Sequence, residues 1–219
     1  MKTITLIGAG GKMGCRLTDN FLKTNYKVHH LEVSPKGIEN LKQRGVTLST
    51  QAEAVPAGDV VILAVPDVAI GAVAREVVPL MKSGALLMTL DPAAPLDDQL
   101  PRRADIGCVI AHPCHPSVFN WEPTEQAFRD FYGGISAKQG IVVALMWGTE
   151  SYYELGLEVS TAMYAPVSRA HRVTLEQMAM LEPALVETME CASCPVAFHV
   201  LKSMKLLPSS RLKRLTTML

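Results

Sequence analysis

The segment that decides the fold is Thr3-Ile4-Thr5-Leu6-Ile7-Gly8-Ala9-Gly10-Gly11-Lys12-Met13-Gly14. Its first five residues are β-branched or aliphatic, as in a buried strand, and its glycines lead directly into a helical pattern. Glycines at such a turn let the backbone come close to a pyrophosphate, whose charge lies at the helix N-terminus. We therefore predict a dinucleotide-binding turn that uses Gly8, Gly10, Gly11, Lys12 and Met13. Because Met13 stands where the G-x-G-x-x-G pattern has its third glycine, an ordinary glycine turn is the alternative.

Short apolar runs alternate with amphipathic stretches through the first 150 residues. The runs read as strands at Thr3–Ile7, Lys27–Val33, Val60–Val65, Ala85–Leu90, Val109–His112 and Ile141–Leu145. Helical patterns lie between them at Met13–Thr24, Ile38–Arg44, Ala69–Leu80 and Glu125–Tyr132. This alternation predicts parallel strands with right-handed crossovers. The predicted fold class is α/β: a Rossmann-type doubly wound parallel sheet followed by a short, incomplete helical C-terminal region.

The pattern divides the chain into an NAD-binding Rossmann domain at 1–150, the start of a helical C-terminal domain at 151–190 and an atypical basic tail at 191–219. In the second segment, Thr174 opens a helix with Gln177 at capping-box spacing. The tail has five basic and no acidic residues, so the residues before it carry 16 basic and 21 acidic groups, a net charge of −5. This loss of acidic residues and of helical pattern is what a truncated or frame-shifted gene would produce.

The composition of the 219 residues excludes several classes of function. With 21 basic and 21 acidic groups, the chain offers no electrostatic basis for binding nucleic acid or an anionic membrane. No apolar run approaches the roughly 18–20 residues of a membrane span, and the N-terminus lacks a signal-peptide pattern. Five cysteines at irregular spacing do not form a disulfide framework. We expect a cytoplasmic protein whose partner is a small molecule.

Two carboxylates follow predicted strands near the glycine turn. Glu32 stands 24 positions after Gly8, where a carboxylate accepts hydrogen bonds from the adenosine ribose diol and repels a 2′-phosphate. Asp67 follows another strand, where it contacts a cofactor or only caps the next helix. Glu32 favours NAD over NADP, and a solvent-facing glutamate is the alternative.

The most unusual segment is Ala111-His112-Pro113-Cys114-His115-Pro116, which ends a predicted strand. Histidine acts as an acid, a base or a metal ligand. A second polar cluster, Ser168-Arg169-Ala170-His171-Arg172, precedes Glu182 on the helix that Thr174 opens. Arg169 or Arg172 is suited to bind a substrate carboxylate. One hypothesis is a metal held by one of the two histidines of the first segment and Glu182, and the alternative is a set of satisfied or surface residues.

Four segments together resemble the D-apionate oxidoisomerase family: the glycine turn, Ala64-Val65-Pro66-Asp67, the Ala111–Pro116 segment and the run from His171 to Pro183. These are bacterial NAD-dependent enzymes related to 6-phosphogluconate and 3-hydroxyacid dehydrogenases, and the resemblance covers about residues 1–190. It implies that the chain binds NAD and oxidises the sugar acid D-apionate at its secondary alcohol. The product is then rearranged to 3-oxo-isoapionate.

The implied chemistry gives expected roles to individual residues. A divalent metal such as Zn or Mg would polarise the carbonyl, with His112 and Glu182 as its ligands. His115 or His171 would carry the proton, and Arg169 would complete the catalytic set. The resemblance also implies a homo-oligomer. Two alternatives stay open: a 3-hydroxyacid dehydrogenase that acts on another branched sugar acid, and a non-catalytic NAD-binding remnant.

Overall fold

The structure is a computed structural model that describes residues 1–116, 122–130 and 135–181. Seven strands of this part form one sheet: β1 Thr3–Ile7, β2 Lys27–Leu31, β3 Val60–Leu63, β4 Leu86–Thr89, β5 Gly107–Cys114, β6 Gln139–Trp147 and β7 Val167–Arg172. The α-helices are α1 Lys12–Phe21, α2 Pro35–Gln43, α3 Gln51–Ala57, α4 Asp67–Val77, α5 Ala93–Leu96, α6 Glu125–Phe128, α7 Glu150–Met163 and α8 Leu175–Leu181. A 3-10 turn, Val78–Leu80, follows α4.

The strand order of the sheet is β2-β1-β3-β4-β5-β6-β7. Strands β1 to β5 are parallel to one another, β6 is antiparallel to β5, and β7 is parallel to β6. The order reverses at β1, because the chain adds β2 on one side of it and β3 on the other. This is the doubly wound α/β fold that the sequence predicts, and such sheets bind ligands at the reversal point.

Helices cover both faces of the sheet because its central strands are apolar on both sides. Every residue of β3 and β4 is buried, as expected for parallel strands between two helical layers. One face packs against α1, α2 and α7, with Leu17 and Val159 among the contacts. The other face packs against α3, α4 and α5 and, near β6, against Met178 of α8. We call this second face the α8 face.

Most predicted elements are confirmed, with ends that differ by up to three residues, but α6 ends at Phe128, four residues before its predicted end. Strand β1 has its predicted bounds. Helices α3 and α5 have no counterpart among the predicted elements. Each is at most seven residues long and contains a proline, Pro56 or Pro95, which by local rules favours a turn.

Strand β6 differs from the prediction in its direction. A parallel neighbour needs a connection that crosses back to the other edge of the sheet, usually through a long helix. The described part of the connection between β5 and β6 contains only α6, which has four residues. Strand β6 therefore returns along β5, with Cys114 opposite Gly140 and Val109 opposite Leu145.

Beyond residue 150 the chain extends the same sheet through β7 and then forms α8. The predicted capping box of α8 is confirmed: Thr174 Oγ1 accepts the N–H of Gln177 at 3.2 Å, and Gln177 Oε1 accepts the N–H of Thr174 at 2.9 Å. Residues 182–219 lie outside the described residues, so the predicted boundary at 190 stays a prediction, as does the one at 150. None of the described helices has the length and apolar character needed to cross a bilayer.

Candidate active site

The carboxyl ends of β1 to β5 lie side by side at one edge of the sheet, and the loops at this edge carry most of the predicted site. Gly8 follows β1, Glu32 follows β2, Ala64 follows β3, and His115 follows β5. A Cβ on Gly8 would lie only 2.4 Å from Ala64 O, so the loops after β1 and β3 touch. Residues that are distant in sequence meet here because parallel strands end at the same edge.

The glycine loop, residues 8–14, turns directly from β1 into α1. Gly8 has a φ of 77°, in the left-handed region that favours glycine. The N–H groups of Gly8 and Ala9 both donate to Leu31 O, at 2.9 and 3.0 Å. Helix α1 begins at Lys12 with no side chain capping its N-terminus. The N–H groups of its first turn therefore form the kind of anion site that a pyrophosphate occupies.

Glu32 binds the glycine loop from the end of β2. Its Oε2 accepts the N–H of Gly10 at 2.9 Å, and its Oε1 accepts the N–H groups of Val33 and Ser34, each at 2.9 Å. Burial raises the pKa of the Glu32 carboxyl, but these hydrogen bonds outweigh burial and hold the pKa below its ordinary value. Glu32 is thus a fixed negative charge beside the loop, which suits a ribose diol and repels a 2′-phosphate.

The remaining predicted cofactor residues lie near this loop. Met13 is half-buried and packs against the core, whereas the Lys12 side chain is exposed. Asp67 is exposed and is the first residue of α4, while Pro66 holds the N-cap position. The predicted capping role of Asp67 is therefore wrong. A carboxylate inside the first turn acts on the helix dipole, and cofactor contact by Asp67 stays a prediction.

Strand β5 extends two residues past its predicted end, so His112 and Cys114 lie in the strand and His115 follows it. Burial, together with the positive charges of Arg16, His112 and Lys12, lowers the pKa of His115 to about 4. The imidazole is therefore neutral at pH 7 and has a nitrogen that accepts a proton. Because Lys12 and Arg16 belong to α1, the end of β5 and the glycine loop form one site.

His171 and Arg169 lie on β7, two strands away from β5. The register places residues in two rows across β5, β6 and β7: His112, Val142 and His171, and then Cys114, Gly140 and Arg169. Side chains of one row point to the same face, and two strand spacings amount to about 10 Å. That face is the α8 face, because Val142 packs in one cluster with Met178. The structure thus brings the predicted catalytic residues of β7 onto the face of His112, with both β7 side chains exposed.

Arg172 is the other candidate for a substrate carboxylate, and it points to the opposite face. Its Nη2 donates to Glu150 Oε2 at 2.9 Å, and its guanidinium lies 4.1 Å from the centroid of the Tyr153 ring. Both partners belong to α7. Of the two arginines, Arg169 is therefore the one that shares a face with His171.

The predicted metal site lies only partly within the described residues. His112 is half-buried on β5, whereas Glu182 lies outside the described residues. In the described ranges, no three His, Cys, Asp or Glu side chains are grouped so that they could hold a metal ion. A metal held by His112 and Glu182 stays a prediction.

Three polar residues that the sequence did not single out lie beside the site. Asp130 is buried, and its Oδ2 accepts three backbone N–H groups at 2.9, 2.9 and 3.0 Å, those of Ile135, Ser136 and Ala137. Burial lowers the pKa of Arg16, and the nearby charge of Asp130 acts against this shift. The Tyr164 hydroxyl donates to Ala111 O at 3.0 Å. One feature of the sequence could have indicated Arg16: it stands four residues after Lys12, so both lie on one side of α1.

Two family models match the chain. The NAD binding domain of 6-phosphogluconate dehydrogenase matches residues 3–99, which contain the glycine loop and Glu32. The C-terminal model of phosphogluconate dehydrogenase (decarboxylating) matches residues 120–204. This second match includes β6, β7 and α8 and continues past residue 190.

The chain is also similar to individual proteins. It is 49% identical to a D-apionate oxidoisomerase of Cupriavidus necator over 87% of this chain and 69% of that protein. It is 50% identical to a D-apionate oxidoisomerase of Rhizobium rhizogenes over 91% of this chain and 72% of that protein. Among solved structures, it resembles a semialdehyde dehydrogenase NAD-binding protein from Cupriavidus necator in complex with calcium and NAD. That likeness has a TM-score of 0.86 at 43% identity and covers 97% of this chain and 78% of the other.

Proposed function

This chain belongs to the D-apionate oxidoisomerase family, and from that premise we propose that it oxidises D-apionate with NAD⁺ and rearranges the product to 3-oxo-isoapionate. The chain carries an NAD-binding domain. The proposal rests on one observation: the residues suited to the cofactor and the residue suited to the chemistry lie at the same edge of the sheet. The glycine loop and Glu32 provide the cofactor half, and neutral His115 follows β5 beside α1.

The residues at this edge fit NAD. The uncapped N-terminus of α1 suits the pyrophosphate, and the fixed charge of Glu32 suits the adenosine ribose. When bound, NAD⁺ supplies a hydride acceptor. Because Glu32 would repel a 2′-phosphate, the site selects NAD against NADP.

Oxidation is the first step of the proposed reaction. The carbon that bears the 2-hydroxyl loses a hydride while the hydroxyl loses its proton, so a 2-oxo acid forms. We assign this proton to His115, whose imidazole is neutral at pH 7 and has a nitrogen that accepts a proton. Arg169 binds the substrate carboxylate from the α8 face.

The second step is an α-ketol shift. A hydroxymethyl group migrates with its bonding electron pair from C3 to the carbonyl carbon C2. The 3-hydroxyl loses its proton as C3 becomes the new ketone, and the former carbonyl oxygen gains one. Two proton transfers are therefore needed, and His171, in the same row as His112, is the second proton carrier that we propose.

A divalent metal at His112 and Glu182 would polarise the carbonyl during this shift. Because Glu182 lies outside the described residues, the steps above are assigned to the protein's own side chains. Dialysis against a chelator tests the metal: a loss of NAD reduction that Zn²⁺ or Mg²⁺ restores supports it, and unchanged turnover removes it from the proposal.

The proposal also covers the location, the assembly and the partners of the protein. We propose a cytoplasmic homo-oligomer whose partner is the sugar acid and which has neither nucleic acid nor a membrane as partner. The support is the balance of 21 basic and 21 acidic groups and the resemblance of the sequence to a family of small-molecule enzymes.

NADH formation at 340 nm with D-apionate and a panel of other branched sugar acids tests the function. We expect turnover with D-apionate, and ¹³C NMR distinguishes 3-oxo-isoapionate from the unrearranged 2-oxo acid of equal mass. Faster turnover of another acid without rearrangement would favour the 3-hydroxyacid dehydrogenase. Binding of NAD without turnover of any acid would favour the non-catalytic remnant.

A substitution of His115 tests its proposed role as the proton acceptor. His115→Gln removes the proton acceptor, so we expect kcat to fall by about 10²–10⁴-fold with the Kd for NAD unchanged. His29→Gln is the matched control, because His29 lies on β2 and contacts Ser49 at 2.9 Å. Equal turnover of the two variants would remove His115 from the mechanism.

A further inference from the structure

Both backbone groups of Gly10 are held by side chains from outside the turn. Its N–H donates to Glu32 Oε2 at 2.9 Å. Its carbonyl oxygen accepts Asn40 Nδ2 at 2.9 Å and the thiol of Cys15 at 3.2 Å. Helix α2, which carries Asn40, also packs on Gly10, because a Cβ there would lie 2.1 Å from Gly37 O.

The Gly10–Gly11 peptide lies in the glycine loop directly before α1, and it joins two residues without a Cβ. Two consecutive glycines have little steric barrier to positive φ. In the structure the carbonyl of this peptide faces Asn40, and its N–H donates to Gly8 O at 3.1 Å. A flip would break these two hydrogen bonds and the one from the Cys15 thiol, and it would turn the carbonyl oxygen of Gly10 toward Gly8 O. The loop that presents the N-terminus of α1 would then lose its shape.

We propose that Asn40 is a positioning residue for NAD: its amide holds the Gly10–Gly11 peptide in the orientation that presents the N-terminus of α1 to the pyrophosphate. The amide of Asn40 contributes more to this restraint than the thiol of Cys15, since a thiol is a weak donor. Asn40 is itself fixed. Arg44 Nη1 donates to Asn40 O at 3.0 Å, and Arg44 Nε pairs with Asp19 Oδ1 of α1 at 2.7 Å.

The proposal concerns NAD binding and not the sugar acid, so the Kd for NAD tests it whether or not D-apionate is turned over. Asn40→Leu removes the donor and keeps a side chain of similar size. Gln43→Leu is the matched control, because it makes the same amide-to-leucine change on the same helix at an exposed side chain that donates a hydrogen bond to Glu39. By calorimetry we expect about a tenfold rise in Kd for Asn40→Leu, the size of one lost hydrogen bond, and less than a twofold rise for the control.

Repeating the measurement in a Gly11→Ala variant distinguishes a loss of positioning from a general loss of stability of α2. Gly11 has φ −66° and ψ 176°, and a Cβ there would lie 3.4 Å from its nearest neighbour, Gly8 O. Gly11→Ala therefore fits the observed loop but disfavours the positive φ of a flipped peptide. We expect the effect of Asn40→Leu on Kd to shrink to threefold or less in this background.

Two results would overturn the proposal. One is a Kd of Asn40→Leu within twofold of that of Gln43→Leu. The other is a tenfold effect that persists undiminished with Ala at position 11, which would show that Asn40 stabilises α2 without restraining the peptide. If Asn40→Leu does not fold, Asn40→Asp with Gln43→Glu as its control gives the same comparison. A carboxylate facing Gly10 O repels it, so the expected rise in Kd is at least as large.

Discussion

Replacing Glu32 with Gln tests how the site selects its cofactor. The carboxylate accepts N–H groups from Gly10, Val33 and Ser34, each at 2.9 Å. Gln keeps the size of the side chain and one acceptor oxygen, but it loses the charge and turns an NH₂ group toward one set of donors. The variant therefore weakens the interaction with a ribose diol and removes the repulsion of a 2′-phosphate.

The expected magnitude follows from these two effects. A hydrogen bond to a charged group contributes about 1.5–3 kcal/mol, and we take about 1.5 because Glu32 is only half-buried. This predicts about a tenfold higher Kd for NAD. Two unit charges about 4 Å apart in a water-like medium repel by about 1 kcal/mol, so NADP gains about fivefold. The preference for NAD over NADP should fall by about 50-fold in all.

Calorimetric titration of NAD and NADP into the wild-type protein and the Glu32→Gln variant measures this ratio. Glu39→Gln is the matched control: it makes the same change of charge on α2, where its carboxylate accepts a hydrogen bond from Gln43 Nε2 at 3.2 Å. We expect the control to keep the wild-type ratio. If Glu32→Gln also keeps it within twofold, Glu32 does not select the cofactor and the assignment of the ribose site is wrong.

Three further changes have defined outcomes. Gly10→Ala puts a Cβ 2.1 Å from Gly37 O, so we expect about 1–3 kcal/mol of overpacking, a melting temperature about 2–12 °C lower and weaker NAD binding than in Gly11→Ala. Equal NAD affinity in the two variants would contradict this. Acid should destabilise the fold through His30, which is 5% exposed. Burial and then the charge of His29 lower the pKa of His30 from 6.5 to about 4. The unfolded chain therefore binds the proton first, and this stability is present above pH 6.5 and lost as the pH falls toward 4. Between pH 7 and pH 5, urea unfolding should show about 2 kcal/mol more loss of stability for the wild-type protein than for His30→Gln, and an equal loss in the two proteins would assign it to other groups. Asp130→Asn removes a buried charge that accepts three N–H groups. We expect about 2–4 kcal/mol less stability by urea unfolding, and a change under 1 kcal/mol would show that Asp130 does not hold the 135–137 turn.

The cofactor half of the site could be predicted from sequence because its determinants are local. The turn after β1 needs glycine for a positive φ at Gly8, and Glu32 follows from counting to the end of the next strand. Asn40 gives no such signal, since its amide reaches Gly10 across a gap of 30 residues. A helix residue with no partner nearby in sequence looks like any other exposed amide.

The part of the site that we assign to the sugar acid depends on the direction of β6, which local sequence patterns do not encode. Residues 141–145 are apolar in either direction. With β6 parallel to β5, the histidines of β5 and β7 would have a different register. The structure shows that β6 returns along β5 and that Val142 lies between His112 and His171. The sequence pattern does not contain the reason why the two histidines lie in one row.

The same reversal determines where α8 leads. Because β7 is parallel to β6, it runs away from the edge that carries the glycine loop, and α8 follows its end. Helix α8 packs on Ile110 and Val142 through Met178 and contacts α5, which follows β4 at the carboxyl edge. It therefore runs back toward the edge that carries the cofactor residues. The described part of α8 thus approaches the site, whereas a parallel β6 would have directed this helix away from it.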